Sequence, residues 1–305
     1  MNRNLLLLPV LLLSCFRLDS FLFEPTRVTE YFNPADIDTS WHVRGIVPDS
    51  LVDMVTLYGL DSNRVYGFFV RQPAGEGTKY QGTWLGPRPP TPDPQPLAGT
   101  TVIYNHGRGE NINRYWGRVE LLWEAGCSVF IYDYEGFGKS EGSPSGAACY
   151  ADAESALAYV LARPDVVDSS VVYYAWSLGS FMACHLAADV RSPRCLILEN
   201  PMASMSALAK EGAVLGIPGS FVVDADFDNE VRMPRLGCRT LIIYGENDQT
   251  AVPERNALVL INKGRDWIPL RVRSVKNADH SDLPEKMGYG EYERIVKAFI
   301  AGDSL

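Results

Sequence analysis

The sequence predicts an α/β protein with a mostly parallel, doubly wound sheet of about eight strands. From about Trp41 onward, short apolar runs such as TVIYN, VFIYD and CLILE alternate with longer helical patterns. Nearly continuous apolar runs are typical of strands that helices cover on both faces. Strand–helix alternation favours right-handed crossovers in one sheet. The chain has 305 residues, of which 46% are hydrophobic, so it can bury the core that this fold requires.

Nine strands and five helices follow from these patterns. The strands are predicted at 43–47, 54–58, 65–70, 101–105, 128–133, 171–176, 195–199, 240–244 and 271–275. The helices are predicted at 113–125, 147–163, 178–189, 254–262 and 291–300. No helical pattern separates the earliest strands, and we therefore expect them to form an antiparallel N-terminal edge.

Two segments interrupt the alternation within a predicted domain at 41–305. Residues 73–98 contain seven prolines. Because proline lacks the N–H that a sheet interior needs, we expect an exposed loop there, with a proline-rich partner-binding site as the alternative. Residues 201–234 are too numerous for an ordinary connection between core strands, and they predict a small cap over a site. Apolar residues in the cap favour either a substrate pocket or packing onto the core.

The N-terminus has the layout of an export signal. One basic residue precedes an apolar run from Leu5 to Leu13, and Ser14 then precedes Cys15. This run is too short to cross a bilayer core, which needs about 20 residues. The segment L-L-S-C resembles a bacterial lipobox, in which the cysteine receives lipid and becomes the mature N-terminus.

This resemblance implies a signal peptide at 1–14, lipidation of Cys15 and a tether at 15–40. We therefore expect an exported protein, anchored in a membrane as a bacterial lipoprotein that faces the periplasm or the cell surface. A plain cleaved signal and a buried N-terminal helix are the alternatives.

Charge and cysteine content exclude several functional classes. The net charge is −9 and no run of five or more basic residues occurs, so nucleic acid is not an expected partner. Six cysteines are too few for a disulfide scaffold, and no C-x-x-C pair indicates a zinc site. Cys195 and Cys238 both stand beside predicted strands, so a disulfide between them and a set of buried thiols both stay open.

The stretch VVYYAWSLGSFMACHLAADV at 171–190 carries the strongest functional motif. A buried strand runs directly into A-W-S-L-G, and a helix follows Ser177. Such a sharp turn needs small residues beside the serine, here Ala175 and Gly179, and it aims a helix N-terminus at the reaction centre. The stretch resembles the G-x-S-x-G nucleophile turn of α/β-hydrolases, with Ala175 in place of the first glycine. A serine that merely caps the helix is the alternative.

Further motifs extend this resemblance from about residue 43 to residue 300. The strand TVIYN is followed by H-G-R-G at 106–109, which is similar to the oxyanion loop of the family. The segment YDYEGFGKSEG at 132–142 is similar to the turn after the family's next strand. The resemblance implies that the backbone N–H groups of Arg108 and Leu178 form the oxyanion hole.

A serine hydroxyl becomes a good nucleophile only when a neutral imidazole accepts its proton. The four histidines are His42, His106, His185 and His280. His106 belongs to the oxyanion loop, and His185 lies eight residues after the serine on a helix that directs it away. His280, in N-A-D-H-S-D after the last predicted strand, occupies the catalytic position of the family.

The imidazole in turn needs a carboxylate that fixes its tautomer. Asp248 lies just beyond the carboxyl end of the strand at 240–244, where doubly wound folds place functional side chains. The order Ser177, Asp248, His280 is the order of the family. Glu199, at the end of CLILE, is the rival acid, and its alternative role is a hydrogen bond that holds the loop at 200–205.

These residues predict a serine hydrolase that cleaves the ester or related acyl bond of a small-molecule substrate through a covalent acyl-enzyme. The resemblance implies neither a metal nor an organic cofactor, and no protein partner is inferred. Acyl transfer, thioester cleavage or peptide cleavage by the same triad, and a catalytically silent binding protein, are the alternatives. Since imidazole accepts a proton only when it is neutral, we expect activity to fall below about pH 6–7.

Overall fold

Eight strands form one sheet in the computed structural model, which describes residues 23–31, 45–73, 97, 99–205 and 227–303. They are β2 (Val52–Tyr58), β3 (Arg64–Val70), β4 (Thr101–Asn105), β6 (Ser128–Tyr132), β7 (Val171–Trp176), β8 (Cys195–Glu199), β9 (Arg239–Gly245) and β10 (Leu270–Val275). Two short strands, β1 (Glu24–Pro25) and β5 (Gly109–Glu110), pair with each other beside this sheet.

Helices follow most of the parallel strands. The α-helices are α1 (Ile112–Glu124), α2 (Gly146–Ala162), α3 (Gly179–His185), α4 (Asn229–Arg232), α5 (Ala257–Gly264), α6 (Leu283–Met287) and α7 (Tyr289–Ala301). A π-helical turn, Leu186–Val190, extends α3. The 3₁₀ turns are Asp49–Leu51, Leu60–Ser62, Asp168–Ser170, Met233–Arg235 and Pro253–Arg255.

The strand order is β10-β9-β8-β7-β4-β6-β3-β2. All neighbouring pairs from β10 to β6 are parallel, whereas β3 pairs antiparallel with both β6 and β2. This arrangement confirms the predicted mixed sheet with an antiparallel N-terminal edge. Since the parallel strands all point the same way, the loops after β4, β7, β8, β9 and β10 meet at one edge of the sheet.

The strand predicted at 43–47 is wrong in its described part. Residues 45–47 are irregular, and residues 43 and 44 lie outside the described ranges. The backbone N–H of Ile46 donates to Glu120 Oε1 of α1 at 3.0 Å rather than to a neighbouring strand. Val47 is nevertheless buried against the core, which accounts for the apolar pattern that favoured a strand.

Helices cover both faces of the sheet and create two apolar clusters. On one face α2, α3 and α5 contribute side chains such as Ala156, Phe181 and Leu260. On the other face α1 and α7 contribute Trp116 and Phe299. Burial on both faces explains why β4, β7 and β8 consist of fully buried residues. Among the described helices, none is long and apolar enough to span a membrane.

Side-chain caps determine where two of these helices begin. Asn111 Oδ1 accepts a hydrogen bond from Asn113 N at 3.0 Å at the start of α1. Ser145 Oγ accepts one from Ala148 N at 3.1 Å at the start of α2. Each cap satisfies a backbone N–H that a helix leaves free, and it therefore ends the preceding loop at a defined residue.

Several sequence predictions concern residues outside the described ranges. These are Cys15, most of the proline-rich loop at 73–98, and residues 206–226 of the predicted cap at 201–234. Within the predicted tether at 15–40, residues 23–31 lie against the domain through β1.

The cysteines of the described chain are buried thiols. Cys127, Cys149, Cys184, Cys195 and Cys238 are not in disulfides, so the conceivable bridge between the last two does not form. Burial raises the pKa of the Cys238 thiol to about 11 and that of Cys195 to about 12. Both therefore remain protonated at neutral pH.

Candidate active site

Ser177 lies in the sharp turn between β7 and α3. Its backbone φ is 57°, a left-handed conformation that costs an L-residue about 1–2 kcal/mol. Its N–H donates to the carbonyl oxygen of Glu199 on the adjacent strand at 3.0 Å, which holds the strained residue in place. Strain of this kind is a feature of serine nucleophile turns, because it pushes the hydroxyl out of the backbone path.

Gly179 is required by this turn. A Cβ atom at this position would lie 2.0 Å from the carbonyl oxygen of Asn105 at the end of β4. No side chain fits at that distance, so the close approach of α3 to β4 depends on glycine. Ala175, the other small residue of the motif, is fully buried in β7. The sequence motif therefore follows from backbone packing as well as from the position of the serine.

Ser177, His280 and Asp248 form a continuous chain of side-chain contacts. Ser177 Oγ lies 2.9 Å from His280 Nε2. His280 Nδ1 lies 2.7 Å from Asp248 Oδ2. An ionised carboxylate can only accept, so Nδ1 carries the proton and Nε2 presents its lone pair to the hydroxyl. The three residues come from the segments that follow β7, β9 and β10, and the structure brings the predicted serine, acid and base together with the imidazole in the middle.

The carboxylate of Asp248 is held by the loop that contains it. Asp248 Oδ1 accepts from the backbone N–H of Thr250 at 2.8 Å and of Ala251 at 2.7 Å. The residue is 1% exposed. These two donors fix one oxygen and leave the other directed at the imidazole. Hydrogen bonds to the charged form also compensate for the removal of the carboxylate from water.

The loop after β4 brings Arg108 to the same edge of the sheet. His106 is fully buried, and its Nδ1 contacts the carbonyl oxygen of Gly107 at 2.8 Å. A Cβ at Gly107 would lie 3.2 Å from the Trp176 ring, so this loop packs tightly against the residue before the serine. Among the described residues, neither the Arg108 N–H nor the Leu178 N–H donates to a protein acceptor. Within the described part of the chain, both predicted oxyanion donors therefore lack a protein acceptor.

Known proteins share this architecture. Residues 98–233 match the family described as Hydrolase_4, serine aminopeptidase S33. The Escherichia coli K12 protein described as uncharacterized protein YfhR is 30% identical over 213 residues, which cover 68% of this chain and 72% of that protein. The chain belongs to the α/β-hydrolase family. Human alpha/beta hydrolase domain-containing protein 17B is 27% identical over 210 residues, which cover 68% of each chain.

Solved structures show the same α/β-hydrolase fold. The Pyrococcus furiosus esterase Pf2001 has a TM-score of 0.64 and 17% identity, with 91% of this chain and 98% of that chain covered. An α/β-hydrolase from Vibrio vulnificus has a TM-score of 0.59 and 16% identity, with 90% and 97% covered. At this level of identity the likeness concerns the fold.

In this α/β-hydrolase the carbonyl oxygen of His280 is held by two donors from neighbouring strands. Asn200 Nδ2 donates to it at 2.8 Å, and Trp176 Nε1 donates at 3.1 Å. The Trp176 ring also packs on the imidazole, with ring centroids 5.2 Å apart. Sequence reasoning did not identify either residue as part of the site. The sequence signal for both was their position, because Trp176 directly precedes Ser177 and Asn200 directly follows Glu199.

Asn200 connects three strand ends of the α/β-hydrolase sheet. Besides its bond to His280, its Oδ1 accepts from Gly245 N at 2.8 Å, and its own N–H donates to Ile243 O at 2.8 Å. Its φ is 42°, within the left-handed region that asparagine tolerates better than most residues. Asn200 is therefore a link between β8, β9 and the loop that carries the imidazole.

Glu199, the rival acid, is engaged elsewhere. Its Oε1 accepts from Arg118 Nε at 3.0 Å, and its Oε2 accepts from the hydroxyls of Tyr174 and Tyr292. The structure thus places Asp248 at the imidazole instead. The alternative role for Glu199 is also corrected, because these partners lie on α1, β7 and α7 and not in the loop at 200–205. Burial, with the negative charge of Glu199, raises the pKa of both tyrosines, which remain hydrogen-bond donors.

The remaining predicted candidates lie away from the serine. His185 Nε2 contacts Glu154 Oε1 at 2.7 Å, and its Nδ1 lies 3.3 Å from Asp189 Oδ2. The side chain of Arg108, as distinct from its backbone N–H, pairs with Glu24, with Nη2 and Oε1 3.1 Å apart. His42 lies outside the described residues.

Proposed function

We propose that this α/β-hydrolase is a serine hydrolase that cleaves an ester or related acyl bond through a covalent acyl-enzyme. The observation that carries the proposal is the hydrogen-bonded chain from Ser177 Oγ through His280 to Asp248, with contacts of 2.9 Å and 2.7 Å. Two separate features support it. Ser177 has the strained backbone of a nucleophile turn, and the N–H groups of Arg108 and Leu178, in the adjoining segments, donate to no acceptor among the residues that the structure describes.

In the first half-reaction Ser177 Oγ attacks the carbonyl carbon while His280 Nε2 accepts the hydroxyl proton. The resulting imidazolium is stabilised by Asp248, whose second oxygen is fixed by two backbone donors. Negative charge develops on the former carbonyl oxygen. The N–H groups of Arg108 and Leu178 are the proposed donors to it, and one such donor typically lowers the barrier by about 3–4 kcal/mol.

The tetrahedral intermediate then collapses. The carbon–oxygen bond to the leaving group breaks, and the imidazolium gives its proton to the departing alcohol. In the second half-reaction a water molecule transfers a proton to His280 Nε2 as its oxygen attacks the acyl carbon. The second collapse breaks the bond to Ser177 Oγ and returns the proton to it. Every proton passes through one imidazole, so its fixed orientation matters in all four transfers.

The test is covalent labelling with a fluorophosphonate together with turnover of chromogenic esters of rising chain length. The wild-type protein is expected to label once and to hydrolyse esters, whereas Ser177→Ala loses labelling and about 10³-fold or more in kcat. Ser155→Ala is the matched control, because its hydroxyl donates to Tyr58 O away from the turn. Absence of labelling in a folded wild-type protein would support the silent binding protein and overturn the proposal.

Peptide cleavage is the second candidate, because the matching family is described as a serine aminopeptidase. The same triad and donors serve amide hydrolysis, in which the imidazolium protonates an amine in place of an alcohol. A matched pair of acyl p-nitrophenyl ester and acyl p-nitroanilide distinguishes the two activities. We expect the ester to be cleaved with the higher kcat/KM, and aminoacyl anilides cleaved faster than any ester would favour the peptidase.

We also propose that the protein is exported and anchored through a lipidated Cys15, as the L-L-S-C segment implies. Eight chain steps separate Cys15 from Phe23, and fully extended chain spans at most roughly 29 Å over that length. Phe23 precedes Glu24, whose N–H donates to Arg108 O at the active-site edge of the sheet. An anchored domain would therefore keep that edge close to the membrane. Detergent partitioning and N-terminal mass spectrometry of wild type and Cys15→Ser test this proposal. Wild type that stays in the aqueous phase with an unmodified Cys15 would contradict it.

A further inference from the structure

Residues 23–31, here called the N-terminal strap, bind two loops at the active-site edge through their backbone. Glu24 N donates to Arg108 O at 2.9 Å, and Thr26 N donates to Glu110 O at 3.0 Å. The strap thus forms β1, which pairs in parallel with β5 of the oxyanion loop. Further along, Gly138 N donates to Thr26 O at 3.1 Å. The strap therefore lies between the loop after β4 and the loop after β6.

Side chains strengthen the contact with the oxyanion loop. Arg108 Nη2 lies 3.1 Å from Glu24 Oε1. Thr26 Oγ1 donates to Glu110 Oε2 at 2.8 Å, and Asn111 Nδ2 donates to Thr26 O at 3.1 Å. Glu24 therefore contacts Arg108, and Thr26 contacts Glu110 and Asn111.

The oxyanion loop needs such support. It contains two glycines, Gly107 and Gly109, and Glu110 has a φ of 59°. Glycines leave a backbone with many accessible conformations, and a left-handed Glu110 is disfavoured unless neighbouring contacts impose it. The strap supplies such contacts to the carbonyl oxygens of Arg108 and Glu110.

The strap itself is anchored at both ends. Phe23 is buried, and its ring lies 6.2 Å from Phe137 and 6.4 Å from Phe227. At the other end Tyr31 donates to Asp133 Oδ2 at 2.6 Å. The second oxygen of Asp133 accepts from Ile112 N at 2.9 Å, at the start of α1. Both ends are thus fixed to the same domain whose loop the middle of the strap holds.

We propose that the N-terminal strap is a functional part of the active site, in which Glu24 and Thr26 act as positioning residues for the backbone N–H of Arg108. This inference rests on the proposed function, because it assigns that N–H to the oxyanion hole. A donor stabilises the transition state only when it points at the place where charge develops. A small rotation of the peptide between Gly107 and Arg108, which carries the Arg108 N–H, would leave substrate binding intact and weaken the hydrogen bond to the developing oxyanion.

The experiment uses the full-length protein with two kinds of change. Thr26→Pro removes the N–H that donates to Glu110 O and the hydroxyl that donates to Glu110 Oε2. The double variant Glu24→Gln/Thr26→Val preserves shape and removes the negative charge beside Arg108 and the hydroxyl bond. We expect kcat to fall roughly tenfold in Thr26→Pro and by a smaller factor in the double variant, with KM nearly unchanged. Affinity for an aryl boronic acid, which forms a tetrahedral adduct with an active serine, should fall in parallel with kcat.

Glu30→Gln is the matched control on the same strap. It removes only the ion pair with Lys139 at 2.9 Å, which involves an exposed carboxylate, and kcat should stay unchanged. Circular dichroism establishes that each variant is folded at the assay temperature. Folded strap variants that keep wild-type kcat and boronate affinity would overturn the inference, as would an equal loss in Glu30→Gln. Failure of the wild type itself to hydrolyse esters or label would instead overturn the proposed function.

Discussion

The side-chain amide of Asn200 joins the imidazole loop to the neighbouring strand end: Nδ2 donates to His280 O at 2.8 Å, while Oδ1 accepts from Gly245 N at 2.8 Å. Gly245 is the last residue of β9, and Asp248 follows it by three residues. One buried amide therefore ties together the loops that carry the base and the acid. The distance between His280 and Asp248 depends on this link as well as on their own contact.

Asn200→Asp should lower kcat about tenfold, because the carboxylate can still accept from Gly245 N but cannot donate to His280 O. Asn200→Gly keeps the left-handed backbone accessible and removes both bonds, so it should also lower the free energy of unfolding by about 1–3 kcal/mol. Ester turnover and urea unfolding measure the two effects. A folded Asn200→Asp variant with wild-type kcat would show that Trp176 alone suffices to hold the loop.

Because Asp248 and not Glu199 contacts the imidazole, a change at Asp248 should mainly lower turnover, whereas a change at Glu199 should mainly lower stability. Asp248→Asn should lower kcat about 10⁴-fold with little loss of stability, because the amide favours the wrong imidazole tautomer. Glu199→Gln should leave the partly buried Arg118 without its counter-charge and lower the free energy of unfolding by up to about 3 kcal/mol. Turnover per folded molecule, with denaturant titration, separates the two. A larger catalytic loss in Glu199→Gln than in Asp248→Asn would reverse the assignment.

The backbone strain at Ser177 predicts a difference between two inactive variants. Ser177→Ala keeps the left-handed φ of 57°, which any Cβ makes unfavourable, whereas Ser177→Gly removes that penalty. We therefore expect Ser177→Gly to be more stable than Ser177→Ala by about 1 kcal/mol. Thermal unfolding of both variants under the same conditions measures the difference. Equal stability would mean that the turn is not strained in the folded protein.

A buried carboxyl away from the active site predicts how stability depends on pH. Asp152 is fully buried and its Oδ2 accepts from Glu135 N at 2.8 Å. Burial, with the nearby charge of Glu135, raises the pKa of Asp152 well above its ordinary value. At a pH between the two pKa values, Asp152 is protonated in the folded protein and ionised in the unfolded chain. The stability that the protonated Asp152 allows is fully present below the ordinary carboxyl pKa of about 4, and it is lost as the pH rises toward the pKa of the folded state.

Asp152→Asn removes this titration and still accepts from Glu135 N. Between pH 5 and pH 8 the unfolding free energy of the wild type should fall relative to that of the variant. Urea unfolding at several pH values measures this difference, in which the titrating groups that do not interact with Asp152 cancel. Parallel curves for the two proteins would contradict a raised pKa at Asp152.

Local patterns predicted most of the fold. The runs at 101–105, 171–176 and 195–199 are strands with those bounds, because parallel strands covered on both faces must be apolar throughout. The segment at 43–47, which contains the apolar residues Val43, Ile46 and Val47, also predicts a strand, but Ile46 N donates to a side chain of α1 and no strand forms in its described part. An apolar pattern indicates that residues are buried, and residues of irregular segments are buried as well as those of strands.

Local sequence is enough to predict the nucleophile turn, because small residues two positions before and two positions after Ser177 let the buried strand pass directly into a helix. The chain order Ser177, Asp248, His280, each after the end of a predicted strand, is likewise visible in the sequence. The packing of distant segments determines that Asp248 and not Glu199 meets the imidazole, that Asn200 and Trp176 hold its loop, and that Glu24 lies beside Arg108. These contacts join residues far apart in the chain, and their distances depend on how strands and loops pack rather than on any local pattern.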